Sequence, residues 1–204
     1  MPKVTFFNLA NDKREILIKA LEKEFSRVPL YDASIANIVK FANIPRGSFY
    51  QYFDDKEDAY FFLLQEQIKN HKEKFVLCLQ IHNGDLFAAM IAMFALTIKE
   101  LSKDENINFL KNTFLNMNHE IESKFNDIFN ASGGVEQFRN ISLLIDKSNL
   151  NITSDKELFH LMKIVITVTF RNLAEKLAQN LTVDEAMNGY TIEMGLLKKG
   201  LQKN

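Results

Sequence analysis

An all-α fold follows from three observations on the 204-residue chain. It carries only 7 Gly and 3 Pro. Few stretches alternate apolar with polar residues. Most periodic stretches instead repeat their apolar residues at spacings of three and four, the period of a helix with one buried face. Apolar residues make up 47% of the chain, enough for a substantial core, and charged residues 25%, ordinary for a globular protein.

The first helix is expected over about Asn11 to Arg27. Leu17, Ala20, Leu21 and Phe25 share one face, while Lys13, Lys19, Glu22 and Lys23 lie mostly on the other. Pro29 ends it. A short helix follows at about Ser34 to Phe41, with Ser34 as N-cap and Ile35, Ile38 and Val39 as its apolar side. Ala42-Asn43-Ile44 is a tight break in which Asn43 suits a left-handed backbone. Pro45 then opens a third helix, about Pro45 to Tyr52. Asp55 is a natural cap for a long helix over about Lys56 to Leu79, which His82-Asn83-Gly84 terminates. Further helices are expected at about 85–101, 105–118, 120–130 and 135–146, with Ser132-Gly133-Gly134 as the clearest loop. The last two are expected at about 154–179 and 183–202, opened by Ser154-Asp155 and by Thr182 before Asp184.

Composition narrows the function classes. The formal net charge of −1 gives no sign of nucleic-acid binding from the whole chain, so any DNA affinity must come from a local arrangement. Cys78 is the single cysteine and sits in the apolar run Phe75 to Leu79, which predicts a buried, inert thiol and fits a reducing cytosol. The start of the chain lacks a basic region followed by an apolar core. The apolar stretch Leu86 to Ile98 is too short to span a bilayer. A cytoplasmic protein without membrane contact is therefore expected. His71, His82, His119 and His160 lack metal-ligand spacing, so no metal and no cofactor are expected. Nucleophile elbow, phosphate-binding glycine loop and dinucleotide fingerprint are all absent, which argues against an enzyme and leaves no catalytic residues to name.

The informative segment is Ala33 to Lys56. Two short helices joined by a three- to four-residue turn, with an earlier helix to pack on, make the helix-turn-helix plan, whose second helix enters the major groove. That helix reads Arg46-Gly47-Ser48-Phe49-Tyr50-Gln51-Tyr52, followed by Phe53. Phe49 and Phe53, four apart, face the core. Tyr50 and Gln51 then point outward with Arg46 and Ser48, where they can donate to phosphates and base edges. Lys56 begins the next helix, where backbone amides and a cation together suit a phosphate.

The run Ser34-Ile35-Ala36-Asn37-Ile38-Val39, continued by Ala42-Asn43-Ile44-Pro45-Arg46-Gly47-Ser48-Phe49-Tyr50-Gln51-Tyr52-Phe53-Asp54-Asp55-Lys56-Glu57, resembles the DNA-binding signature of the TetR (tetracycline repressor) family. Ala20 and Phe25 also fall where that family's first helix carries them. The resemblance extends over Asp12 to Leu64. It implies that Tyr50 and Lys56 hold backbone phosphates, that Arg46, Ser48 and Gln51 face DNA, and that Gly47 allows close approach. With Ser34 and Tyr52 these form the DNA-facing set, although core packing is the default for Tyr52. The implied division is a helix-turn-helix domain at 1–55 and an effector-binding and dimerisation domain at 56–204. The resemblance further implies a homodimer through the last two helices and a small-molecule effector. Departures are Asn43 for the usual turn glycine, Pro29 for the glycine after the first helix, and Glu22 and Glu24 at usually apolar positions. The two glutamates predict a wetter face on the first helix. Residues 1–60 hold 9 Lys/Arg and 9 Asp/Glu, so non-specific affinity should be modest.

The rest of the chain is less specific. Met90, Met93, Phe94, Phe109, Phe114, Met117, Phe138 and Phe170 recur at helical spacing, first of all as core. A Phe- and Met-rich interior can also line an adaptable apolar cavity. Candidate effector-binding residues are Met90, Phe94, Phe114, Met117, His119, Phe138, Phe170 and Arg171. Arg171 follows a long apolar run and must be paired, solvated at an interface, or facing a ligand. The expected function is a DNA-binding regulator, in the main reading a repressor released by a small, largely apolar effector, such as a fatty acyl species or a drug-like cation. The alternative is a helix-turn-helix protein acting through a protein partner.

Overall fold

The computed structural model describes residues 1–101, 107–116, 118, 119, 121 and 134–201, the side chains of 107, 108, 134–138 and 201 excepted. Its helices are α1 (Val4–Phe7), α2 (Asn11–Arg27), α3 (Ile35–Ala42), α4 (Arg46–Tyr52), α5 (Lys56–Ile81), α6 (Leu86–Leu101), α7 (Ile107–Leu115), α8 (Gly134–Leu144), α9 (Asp155–Gln179) and α10 (Val183–Leu201). A 3-10 turn at Leu30–Asp32 links α2 to α3. The all-α architecture is the one the periodicity calls for. Helix α1 and the 3-10 turn are additions, both too short to leave a periodic trace. The helix expected at about 120–130, the Ser132-Gly133 part of the loop, Met117 and the side chain of Phe138 lie outside the described residues. Among the described residues, no helix is long and apolar enough to cross a membrane.

Helix ends account for the boundaries. Asn43 closes α3 in the left-handed region (φ 52°, ψ 47°), with the Ile44 amide donating to the Val39 carbonyl at 3.0 Å. Pro45 occupies the N-cap of α4, one residue ahead of the expected first turn. The Asp55 carboxylate accepts the Asp58 amide at 2.7 Å and so caps α5. Asn83 and Gly84 take positive φ beyond the end of α5, and the Gly84 amide donates to the Leu79 carbonyl at 2.8 Å. Asp85 then caps α6 by accepting the Phe87 and Ala88 amides, each at 3.0 Å. Thr182 and Glu185 form a reciprocal capping box for α10. The Glu185 carboxylate accepts the Thr182 amide at 2.8 Å, and the Thr182 hydroxyl accepts the Glu185 amide at 3.2 Å.

The chain divides into two compact units, Met1–Lys69 with Asp104–Lys124, and Asn70–Lys103 with Phe125–Asn204. Helix α5 contributes to both. The first unit is built on aromatic contacts. Phe25 meets Tyr60 edge-on at 5.1 Å between ring centroids, Tyr60 meets Phe109 at 5.3 Å, and Phe6 packs on Phe53 and Phe62 at 5.2 and 4.9 Å. The buried Tyr60 hydroxyl shares a 2.7 Å hydrogen bond with Thr113. Burial raises its pKa to about 12 against the opposing pull of that bond. Through α7, the Asn112 amide donates to the Phe25 and Ser26 carbonyls at the end of α2.

The second unit centres on α6, α9 and α10. Phe94 stacks on Tyr190 at 4.0 Å, and the Tyr190 hydroxyl shares a 2.7 Å bond with Thr169. Asn172 donates to Glu193 at 2.7 Å, and Lys198 pairs with Asp85 at 2.7 Å. Cys78 is buried, which pushes its thiol pKa up and away from reactivity.

Candidate nucleic-acid interface

Helix α4 is two turns long, too short to hold itself together in water. Its neighbours fix it. Phe49 is fully buried and its ring lies 5.5 Å from Phe53, which is buried just past the last turn. With that face anchored inward, Arg46, Gly47, Tyr50 and Gln51 are exposed, and Ser48 and Tyr52 are half-buried. Arg46 and Tyr50 lie one turn apart, and the Arg46 guanidinium donates to the Tyr50 hydroxyl at 3.3 Å. At Gly47 an added Cβ would meet nothing within 4 Å, so the chain itself imposes no need for glycine there.

The entry to α3 is governed by a residue that sequence reasoning placed differently. Glu24 is 0% exposed, not on a wet face. Its carboxylate accepts the Ser34 amide at 2.8 Å, the Asn37 side-chain amide at 3.2 and 3.3 Å, and the Arg27 guanidinium at 2.8 and 2.9 Å. Glu22 keeps a partly exposed position. Burial pushes the Glu24 carboxyl upward, but the donors from Arg27, Ser34 and Asn37 together outweigh it and hold the pKa below its ordinary value. Ser34 does occupy the N-cap position, yet its side chain makes no capping bond. A capping box needs Glu or Gln at the third helical residue. That residue is Asn37, and Glu24 supplies the carboxylate from α2.

Lys56 is already engaged. Its ammonium donates to the Tyr31 carbonyl at 2.7 Å and the Ala33 carbonyl at 3.2 Å, tying the 3-10 turn to the start of α5. An ammonium has three donors, so one remains beyond these two.

The described candidate effector residues are divided between the two units. Met90 and Phe94 are buried in the second unit, where Phe170 is half-buried. Arg171 is exposed on α9, with Glu193 at 3.6 Å. Phe114 and His119 belong to the first unit, Phe114 buried and His119 exposed. Sequence reasoning gave Glu24 a solvated place, and it passed over Lys3 and Thr5, which donate to the Tyr50, Gln51 and Tyr52 carbonyls at the end of α4. The lack of an acid at Asn37 was the one signal for Glu24. Nothing in residues 1–10 marked Lys3 or Thr5.

A family model described as bacterial regulatory proteins, tetR family, matches residues 17–59, and one described as tetracyclin repressor-like, C-terminal domain, matches residues 85–201. The curated HTH-type transcriptional regulator HbdR of Aromatoleum sp. (strain CIB) is 32% identical over 71 residues, 35% of this chain. The match spans 31% of that relative's length. A TetR family regulator from Chloroflexus aurantiacus superposes with a TM-score of 0.53 at 23% identity over 100% of both chains. FadR from Bacillus subtilis, solved with stearoyl-CoA, superposes with a TM-score of 0.62 at 16% identity, over 91% of this chain and 98% of its own.

Proposed function

Because the chain belongs to the TetR family of DNA-binding transcriptional regulators, we propose that it is a repressor that binds a palindromic operator as a homodimer and is released by a small, largely apolar effector. The observation that carries the DNA reading is α4. Its outward face presents Arg46, Tyr50 and Gln51 beside a glycine for which the fold has no use. A helical glycine costs about 0.5–1 kcal/mol relative to alanine. Close approach by a partner's backbone gives Gly47 a reason that internal packing does not. In this reading Arg46 and Gln51 reach base edges, while the Tyr50 hydroxyl and the remaining Lys56 donor hold phosphates. Ser48 and Tyr52 line the flanks of the same helix, and Ser34 places the start of α3 against the DNA backbone.

The dimer is proposed to form through α9 and α10. Ile164, Ile192 and Leu196 are exposed there, the last two at 56% and 64% and four residues apart on one face. Two helices from each protomer would make a four-helix bundle, and its twofold axis would match operator symmetry. The effector is proposed to enter the interior of the second unit near Met90, Phe94 and Phe170, where flexible Met side chains can repack around an apolar molecule. Phe138 and Arg171 belong to the same unit. Phe114 and His119 fall in the first. The stearoyl-CoA of the Bacillus subtilis neighbour makes long-chain acyl compounds the first ligands to try.

The test is selection of bound fragments from genomic DNA by the purified protein at two salt concentrations, with Arg46→Ala and Tyr50→Ala in parallel. A palindromic site, lost in both variants while the dimer persists, is the expected result. Uniform, salt-sensitive binding without a palindrome, or binding that survives both substitutions, would overturn the reading and favour a protein partner.

A further inference from the structure

The carbonyls at the end of α4 give the N-terminal segment a role. The last four carbonyls of a helix have no partner within it. Helix α3 solves this with the left-handed Asn43. Helix α4 cannot, because Phe53 follows it in an extended conformation (φ −132°, ψ 150°). Only the Phe49 carbonyl is met locally, by the Phe53 amide at 2.9 Å. The other three are met by residues 3 and 5. The Lys3 ammonium donates to the Tyr50 carbonyl at 2.9 Å, the Thr5 hydroxyl to the Gln51 carbonyl, and the Lys3 amide to the Tyr52 carbonyl at 2.8 Å.

The segment is itself anchored. Phe6 is buried against Phe53 and Phe62, and Lys3 also pairs with Asp54 at 2.8 Å. The positive charge of Lys3 stands at the negative end of α4, where it is electrostatically favoured. Tyr50 and Gln51 are the residues whose carbonyls are held and whose side chains form the outward face.

We propose that Lys3 and Thr5 are positioning residues for operator binding, forming a clasp that closes the last turn of α4 and so holds Tyr50 and Gln51 in register. The proposal rests on the reading of α4 as the DNA-contacting helix. It differs from a direct contact by Lys3, because the clasp acts through backbone carbonyls and not through phosphate.

The test uses the full chain carrying Lys3→Met and Thr5→Val, singly and together, with Lys3→Arg and Thr5→Ser as rescue variants. Hydrogen exchange over residues 46–53, operator affinity and its salt dependence are read in parallel, with Tyr50→Ala as the control for the DNA reading. The double variant should speed exchange in the last turn of α4 by about tenfold, the loss of one to two net hydrogen bonds. It should weaken operator binding by a similar factor with an unchanged salt slope, and the two conservative variants should restore both. Unchanged exchange would overturn the clasp. So would faster exchange with undiminished affinity, provided Tyr50→Ala still abolishes binding. A salt slope reduced by about one, with exchange unaffected, would make Lys3 a phosphate contact instead. If Tyr50→Ala binds the operator normally, the DNA reading of α4 fails, and with it the positioning role.

Discussion

Replacing Glu24 with glutamine tests whether a buried acid on α2 sets the entrance of the helix-turn-helix. The change keeps size and shape, so no cavity forms. It replaces a carboxylate that only accepts with an amide that has one accepting oxygen and one donating nitrogen. The donors converging on Glu24 come from Ser34, Asn37 and Arg27. The single remaining oxygen cannot serve both oxygens' partners, so a part-buried donor is left facing an NH2 group. An unsatisfied buried donor costs about 1–3 kcal/mol. Arg27 is half-exposed and rehydrates, so its release adds little. A loss of about 2 kcal/mol is expected, or roughly 4–8 °C in Tm for a chain of this size. Urea titration followed by circular dichroism measures it. A double-mutant cycle with Asn37→Ala should return a coupling of about 0.5–1.5 kcal/mol. The acid also predicts a pH dependence. Its folded pKa lies below the ordinary 4.5, so its stabilisation is fully present above about pH 4.5 and is lost as pH falls through the depressed value. In Glu24→Gln that component of the acid limb should vanish. A cost below about 0.5 kcal/mol together with no coupling to Asn37 would refute the reasoning, since a carboxylate making these bonds cannot be replaced so cheaply.

Other substitutions probe separate parts of the molecule. Gly84→Ala places a Cβ 2.6 Å from the Leu144 carbonyl oxygen and 2.7 Å from the Asp146 amide, at φ +82°. It should destabilise the protein by about 2–5 kcal/mol in thermal or urea unfolding, combining left-handed strain with overpacking. Lys56→Met should lower the salt slope of operator binding by about one if its third donor holds a phosphate. An unchanged slope with reduced stability would confine Lys56 to the Tyr31 and Ala33 carbonyls. If α9 and α10 form the proposed dimer, Ile192→Asp with Leu196→Asp should give a monomer in light scattering and weaken operator binding by about 100-fold or more, since half-site linkage is lost. A dimer that survives both changes would move the interface elsewhere.

What could be read in advance followed from how locally each feature is encoded. Leu17, Ala20, Leu21 and Phe25 announce their shared face through spacing alone, and all four are buried. Asn43 announces a left-handed turn through its own backbone preference, and it takes φ 52°. Arg46, Tyr50 and Gln51 follow from the anchoring of Phe49, one to three residues away from each. Glu24 and Lys3 were harder to read for the opposite reason. Their partners lie 10 and more than 45 residues off in the chain, and neither residue type reveals which distant amide or carbonyl it will meet. A glutamate among apolar neighbours looks like a solvated exception until the N-cap of α3 is brought against it. The candidate effector set shows a further limit. Periodicity identifies Met90, Phe94 and Phe114 as inward-facing, but it does not say which interior each one faces, and they divide between two units. The pattern that makes a side chain apolar and helical is the same for a core as for a pocket. Only the Glu24 network carried a usable hint. An N-cap serine whose third following residue is Asn37 lacks the acid that would satisfy its amide, and a buried amide must find its acceptor somewhere. Searching the preceding helix for an acid at an apolar position would have found Glu24, so the orphaned donor is the signal worth reading in a sequence of this kind.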